Sequence, residues 1–270
     1  MDRLLTYAEW KQIQTDVRHR GWKWSNCFFL PSTFQEKIEA GVLFLQWKEN
    51  ALFLLEDMVS FYRCYYFFAP LSQVNRPELD REAVVEFPFN GELSRNQYLQ
   101  IECLESMGFV LGRESRMMSC TLANMVLCDV PETTQVRLAR PEEIPEISAL
   151  FEEAFDPRYA FLPTEDELWN ATKEDRILAF SQKGQIIAAL HAELNKTIAS
   201  VRQIAVAEQY RGFGLGKALL AAYHHRFAKE ASMFQHWVDI YNVQALALYQ
   251  SFGYEFTLRK ANEYLLIPNR

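Results

Sequence analysis

The order of apolar and polar positions along the chain predicts its elements before any other property is considered. In the first half, Thr6–Arg20 repeats apolar residues at helical spacing. Three apolar or alternating runs follow, Gly41–Trp47, Ala51–Glu56 and Ser60–Ala69, and predict consecutive strands. Ala83–Phe87 predicts a further strand, Asn96–Met107 a helix stopped by Gly108, and Arg116–Leu127 a returning strand. The polar, proline-containing stretch Asp129–Thr134 predicts a linker, which divides the chain into domains at 1–130 and 135–270.

The second half is more regular. Gln135–Ala139 is a short strand, and Pro141-Glu142-Glu143 opens a helix whose face is Ile144, Ile147, Leu150 and Phe151. Thr164–Arg176 is a second helix. Ile177–Phe180 and Gln185–Leu194 are strands joined at Lys183-Gly184, and Val201–Ala207 is another. A helix with Leu215, Leu219, Leu220, Tyr223 and Phe227 on one side follows, then the strand Phe234–Tyr241 and the helix Val243–Phe252, closed by Gly253. Glu255–Leu258 and Glu263–Ile267 read as a closing hairpin. The order β-α-α-β-β-β-α-β-α-β-β is that of a mixed α/β layer fold. The halves rhyme at their ends. Phe89-Asn90 and a helix ending Ser106-Met107-Gly108-Phe109 answer Tyr241-Asn242 and a helix ending Ser251-Phe252-Gly253-Tyr254. This points to an internal duplication of one α/β unit.

Composition narrows the function. The 270 residues are 49% hydrophobic and 23% charged, ordinary for a globular chain, with 10 glycines and 10 prolines. The net charge is −7, spread over both halves, which argues against nucleic acid or an anionic membrane as partner. No apolar run is long enough to span a bilayer and the N-terminus lacks a signal-peptide pattern. The five cysteines show no Cys-x-x-Cys, so reduced thiols in the cytoplasm are expected. Five histidines without ligand spacing give no metal site, and His224-His225 are helix neighbours rather than a ligand pair. No Gly-x-Ser-x-Gly elbow is present.

The strongest chemical signal is Arg211-Gly212-Phe213-Gly214-Leu215-Gly216-Lys217, where a strand runs into a helix. Alternate glycines let the backbone approach a ligand, and free amides at a helix start attract an anion such as a pyrophosphate. The spacing is neither the dinucleotide fingerprint nor the nucleotide P-loop, since Lys217 is followed by Ala218. Alone, the pattern also fits a glycine-rich turn.

One helix and one strand later come Asn242, Ala245, Leu248, Tyr249, Gly253 and Tyr254. With this second motif in order, residues 135–270 resemble the GNAT superfamily of acyl-CoA-dependent N-acyltransferases. The resemblance implies a mostly antiparallel sheet flanked by helices, with the N-terminal half a second, GNAT-like α/β domain. It implies that the amides of Arg211, Gly212, Phe213, Gly214, Leu215, Gly216 and Lys217 hold the pyrophosphate of acetyl-CoA. Main-chain groups of Ile204, Ala205 and Val206 pair with the pantetheine arm as an added strand, and nearby amides polarise the thioester carbonyl. Asn242 contacts the arm, and Tyr249 protonates the departing thiolate, a phenol of pKa ~10 serving a thiol of pKa ~8.5.

The amine that attacks must be neutral, and the resemblance fixes no base for it. Glu193, on the strand before the glycine-loop strand, is a candidate; His191, two residues before it, points to the same face, and both read first as solvent-facing residues of an amphipathic strand. Glu208 and Asp239 are weaker candidates. The first half departs from the pattern: Pro70–Pro77 holds two prolines and no glycine, and Leu104 stands where the second half has Tyr249. It is expected to be degenerate for coenzyme A. The chain thus reads as a tandem protein with one working half, moving an acyl group to a small-molecule or protein amine. A non-catalytic acyl-CoA sensor is the alternative, and a nucleotide-binding domain a third reading. Acceptor and oligomeric state are not legible.

Overall fold

A computed structural model describes residues 1–69, 74–126 and 135–268. The expected linker Asp129–Thr134 and Cys128 lie outside the described residues. The chain forms two compact units, Met1–Glu114 with Arg259–Arg270, and Ser115–Leu258.

In chain order the first elements are β1 (Asp2–Arg3), α1 (Tyr7–His19), β2 (Trp24–Ser25), α2 (Pro31–Ala40), β3 (Leu43–Trp47), β4 (Ala51–Asp57), β5 (Tyr62–Phe68), β6 (Ala83–Asn90), α3 (Arg95–Ser106) and β7 (Val110–Thr121). Then come β8 (Arg137–Leu138), α4 (Ile144–Ala154), α5 (Glu165–Lys173), β9 (Ile177–Gln182), β10 (Gln185–Asn195), β11 (Ile198–Val206), α6 (Leu215–Phe227), β12 (Met233–Asp239), α7 (Val243–Ser251) and β13 (Glu255–Leu266).

In the first unit the strands run β1-β3-β4-β5-β6-β13, with β2 attached to β5. The unbroken apolar run of β4 has a physical cause: Phe53 and Leu55 enter the core on one side of the sheet, Leu52 and Leu54 the core on the other. The first core is closed by Ile101 and Leu104 of α3, the second by Trp10 and Ile13 of α1 and Phe34 and Ile38 of α2. Thr6 caps α1 by accepting from the Glu9 amide. The helix α2 was not foreseen; Pro31 sits in its first turn and Gly41, at φ +71°, ends it.

In the second unit the order is β7-β12-β11-β10-β9-β8. Helices α4 and α5 cover one face, and α6 and α7 the other. The β9–β10 hairpin turns at Lys183 and Gly184, both at positive φ, as expected. Within the orders given for the two units, β5 with β6 and β11 with β12 are parallel, and the other pairs are antiparallel. The fold is therefore mixed α/β, with largely antiparallel sheet flanked by helices.

Two expectations are corrected. The strand expected at Arg116–Leu127 begins at Val110 and ends at Thr121. The closing hairpin is one continuous strand, β13. Its polar middle, Arg259–Asn262, resembles a turn in sequence, but pairs residue by residue with Asn90–Phe87 of β6, and Ala261 is buried there. A partner strand satisfying the backbone outweighs weak local preference. Each unit's sheet thus includes a strand from a distant part of the chain: Ser115–Thr121 pairs with β12, and Arg259–Leu266 with β6.

Candidate functional site

The site begins where β11 and β12 part. They pair from Ile198 opposite Met233 to Ser200 opposite Gln235, and then β11 continues to Val206 and β12 to Asp239 without pairing to each other. The other edge of β11 remains bonded to β10 as far as Val206. From Ile204 to Val206 the edge toward β12 therefore has no strand partner among the described residues, the Val206 carbonyl accepting only from the Arg211 side chain, a geometry that accepts an added extended segment. Opposite β10 the register skips Arg202: His191 faces Gln203 and Ala192 faces Val201. This bulge reverses the alternation. Val201 packs on the α6 side, while Ala205, an even number of residues later, packs under α4 and α5.

At the end of β11 a single turn, Glu208–Tyr210, leads into the glycines. The Arg211 side chain folds back, Nε donating to the Val206 carbonyl at 3.1 Å. Gly212 and Gly214 lie at φ +84° and +81°, and a Cβ built on either meets nothing within 4 Å. The left-handed turn needs glycine, and the space beside it is open to a ligand. Gly214 precedes α6 without a side-chain cap. The amides of Gly212, Phe213 and Gly214 donate to no carbonyl of the described residues, and the first-turn amides of α6 have no partner within the helix. Leu215 is buried and anchors this helix start, while Phe213 and Lys217 are exposed. Gly216 differs: a Cβ there would stand 3.4 Å from Leu248 Cδ2, an ordinary contact with α7 rather than with the open side of the turn.

The second motif forms α7. Asn242 is the N-cap, its Oδ1 accepting from the Ala245 amide at 3.0 Å. Tyr249 is the buried residue of this helix. Its ring stacks on His236 of β12, centroids 3.4 Å apart. Burial pushes the phenol well above its ordinary pKa, so the hydroxyl stays protonated at neutral pH. Around it lie Tyr223, His224 and Tyr254, with His224 Nε2 and the Tyr254 hydroxyl 2.8 Å apart. Both ring nitrogens of His236, Nδ1 of His224 and the Tyr223 hydroxyl are buried without a hydrogen-bond partner. Burial lowers His224 to about 4 and His236 to about 3, so both are neutral. Single-residue reading of the sequence passed over this cluster, because it is assembled from α6, β12, α7 and Tyr254 just before β13.

Glu193, the expected base candidate, and His191 share a strand face but not an environment. Glu193 is half-exposed, its carboxylate 3.4 Å from Arg202, and sits opposite Ser200, where β11 and β12 are still paired. His191 is 6% exposed and sits opposite Gln203, beside the open part of β11. Glu208 lies in the turn after β11 and Asp239, at the end of β12, accepts from the Tyr241 amide.

The first unit contains the same kind of opening, filled by the chain itself. β5 and β6 pair only at Tyr62–Arg63 opposite Ala83–Val84. The other edge of β5 is taken along its length by β4, so β2, which pairs Trp24 and Ser25 with Phe68 and Phe67, occupies the edge facing β6. Next to it Asn26, buried, bridges the gap: Nδ2 donates to the Cys64 and Glu86 carbonyls, and Oδ1 accepts from the Tyr66 amide. Residues 24–26 thus lie where an added strand would lie. The proline stretch expected to lack a cradle is only partly described, since 70–73 lie outside the described residues.

Among the described residues no group of three His, Cys, Asp or Glu is placed to hold a metal ion. No described helix is long and apolar enough to cross a membrane.

Residues 144–254 match the family model for the acetyltransferase (GNAT) family. The solved structures similar to this chain include a GCN5-related N-acetyltransferase from Sphaerobacter thermophilus, with a TM-score of 0.55 at 15% identity, over 83% of this chain and 82% of that one. An acetyltransferase of the GNAT family from Colwellia psychrerythraea has a TM-score of 0.52 at 13% identity, over 98% of both chains. A tandem GNAT protein from the clavulanic acid biosynthesis pathway has 0.50 at 13%, over 82% of this chain and 80% of that one. At these identities the likeness is one of fold. A comparison with characterised sequences gives no match. With the opened strand pair, the uncapped glycine turn and the match of sequence in the same segment, residues 144–254 are an acetyltransferase domain of the GNAT family.

Proposed function

We propose that the second unit transfers an acetyl group from acetyl-CoA to a primary amine, by direct attack with both substrates bound. The family supports acyl transfer from acyl-CoA in general, and the geometry of the site supports the residue roles that follow. The observation that carries it is the turn at Gly212 and Gly214, open on its ligand side, beside the unpaired edge of β11. A pyrophosphate fits there because unsatisfied amides and a helix start present partial positive charge. The amides from Arg211 to Lys217 hold it, and the main chain of Ile204–Val206 pairs with the pantetheine arm. Asn242 fixes the start of α7 and keeps Nδ2 to donate to that arm.

Acyl-CoA, when bound, supplies the activated carbonyl and a thiolate leaving group. Tyr249 holds the proton that the sulfur takes up as the carbon–sulfur bond breaks. General acid help of this kind contributes about 10²–10⁴ in rate. Glu193, the carboxylate first considered as base, draws little support from its half-exposed pairing with Arg202. In the first unit residues 24–26 fill the corresponding opening, which supports one acyl-CoA per chain.

The test is release of coenzyme A thiol from acetyl-CoA with an amino sugar, a polyamine, free amino acids and a peptide N-terminus, beside the thermal shift caused by coenzyme A. Release with one amine class is the expected result. A thermal shift without release from any amine would replace the enzyme reading by a sensor. Absence of both would remove the site.

A further inference from the structure

We propose that His191 takes the proton of the attacking amine, its accepting nitrogen set by Gln203 and the carbonyl of Phe161. The proposal rests on acyl transfer in the second unit and adds the residue that this reading lacks.

The argument starts from hydrogen-bond bookkeeping along a short chain. The Gln203 amide nitrogen donates to the Phe161 carbonyl at 2.7 Å. This fixes which end of the Gln203 amide is oxygen, and Oε1 lies 2.9 Å from His191 Nδ1. An amide oxygen only accepts, so Nδ1 must carry the hydrogen. The neutral ring then has its lone pair on Nε2, which has no partner among the described residues. A histidine that is to remove a proton needs this tautomer, neutral and with the outer nitrogen bare. Burial lowers its pKa, which keeps the ring neutral at pH 7. Glu193 on its own strand, Arg202 on β11 and Glu167 on α5 are the charged groups that act on it.

Position supports the role. Gln203 belongs to the part of β11 past Ser200, beyond the last pairing with β12. The bulge at Arg202 turns Gln203 toward α4 and α5, the face where Ala189 and Ala205 pack. Phe161 lies in the connection from α4 to α5, so His191, Gln203 and that connection meet on one face of the sheet. Tyr249 packs on the opposite face, with α6. The base and the acid thus lie on opposite faces of the sheet, His191 on β10 next to the part of β11 that has left β12, and Tyr249 with α6. As the nitrogen–carbon bond forms and the carbon–sulfur bond breaks, one amine proton passes to His191 Nε2 and the Tyr249 proton passes to sulfur. Amide and thiol leave, and the imidazolium and phenolate are reset by exchange with solvent.

Two measurements on the full chain test this. The first needs no acyl-CoA: long-range nitrogen–proton correlation spectra of the protein labelled with ¹⁵N-histidine. At pH 7 the expected signature of His191 is protonated Nδ1 and bare Nε2, with Gln203→Leu shifting the ring toward the other tautomer. A protonated Nε2 in the unaltered protein overturns the proposal. The second is thiol release with whichever amine of the panel turns over. His191→Gln should lower kcat at pH 7 by about 10²–10⁴, with KM for acetyl-CoA within about twofold. The acidic limb of kcat at saturating amine, which reports the bound complex and is expected below the ordinary histidine value of ~6.5, should be lost. Glu193→Gln should keep kcat within about threefold. An unchanged profile in His191→Gln, or the loss appearing in Glu193→Gln instead, overturns the proposal. If no amine turns over, the acyl-transfer reading fails by itself, and the tautomer measurement still decides whether His191 is set as a base. Thermal midpoints of each variant separate these effects from misfolding, and Gln203→Leu serves if His191→Gln does not fold.

Discussion

A methyl group added at Gly214, and one added two residues later at Gly216, should act in opposite directions. At Gly214 the backbone lies at φ +81°, where a side chain costs about 1–2 kcal/mol. The new Cβ would meet nothing of the chain within 4 Å, so Gly214→Ala should fold, less stable by about that strain. The same methyl projects into the space where a phosphate must approach the free amides. Losing one charge-assisted hydrogen bond there costs about 1.5–3 kcal/mol. Since 1.4 kcal/mol is tenfold, coenzyme A should bind about ten- to a hundredfold more weakly. At Gly216 φ is ordinary and the Cβ would stand 3.4 Å from Leu248 Cδ2, an ordinary contact. Alanine there gains helix propensity, up to about 1 kcal/mol, and faces α7 rather than the turn. Gly216→Ala should therefore be as stable or more so, with affinity for coenzyme A unchanged. Urea unfolding and titration calorimetry with coenzyme A read both quantities without an acceptor. Undiminished affinity in Gly214→Ala would refute the placement of the pyrophosphate.

Tyr249→Phe should lower kcat by about 10²–10⁴ while KM for acetyl-CoA holds, because the ring still packs on His236; unchanged turnover would remove the acid role. Asn26→Ala leaves the Cys64 and Glu86 carbonyls and the Tyr66 amide without their bonds, which should destabilise the protein by about 2–4 kcal/mol at ~1 kcal/mol or more per lost bond. Calorimetry should still give one coenzyme A per chain, and a second equivalent would show that residues 24–26 do not seal the first opening. His224 and His236 are held neutral near 4 and 3 when folded, against ~6.5 unfolded, so the unfolded chain binds more protons below that value. Stability is full above about pH 6.5 and falls toward pH 4 and then 3, by up to ~1.4 kcal/mol per pH unit for each histidine. Urea midpoints taken from pH 7.5 to 4 would show it, and His236→Phe, which keeps a flat ring against Tyr249, should flatten that slope; an equal slope would contradict the buried neutral ring.

Much of this was legible in the sequence where the cause is local. The glycines at 212 and 214, the Lys183-Gly184 turn and the Gly253 helix stop follow from conformations that few other residues adopt, and the structure has each of them at positive φ or next to it. The apolar runs of β4 and β5 signalled strands because both of their faces are covered. The helix α2 was missed because its interior is polar and short, though Pro31 and Gly41 bracket it.

The sequence by itself determined the fold class, the order of elements in the second unit and the glycine turn that opens α6, since these depend on local propensity, periodicity and permitted φ. Tertiary structure alone decided the rest. Pairing with β6 made one strand of β13, although its polar middle reads as a turn. A single skipped residue at Arg202 chose the face that Gln203 presents, and with it the tautomer of His191. Asn26 reached Cys64 and Glu86 across 38 and 60 residues of chain to close the first opening. Hydrogen bonds across such separations leave no periodic trace, because their partners are fixed by which strands become neighbours.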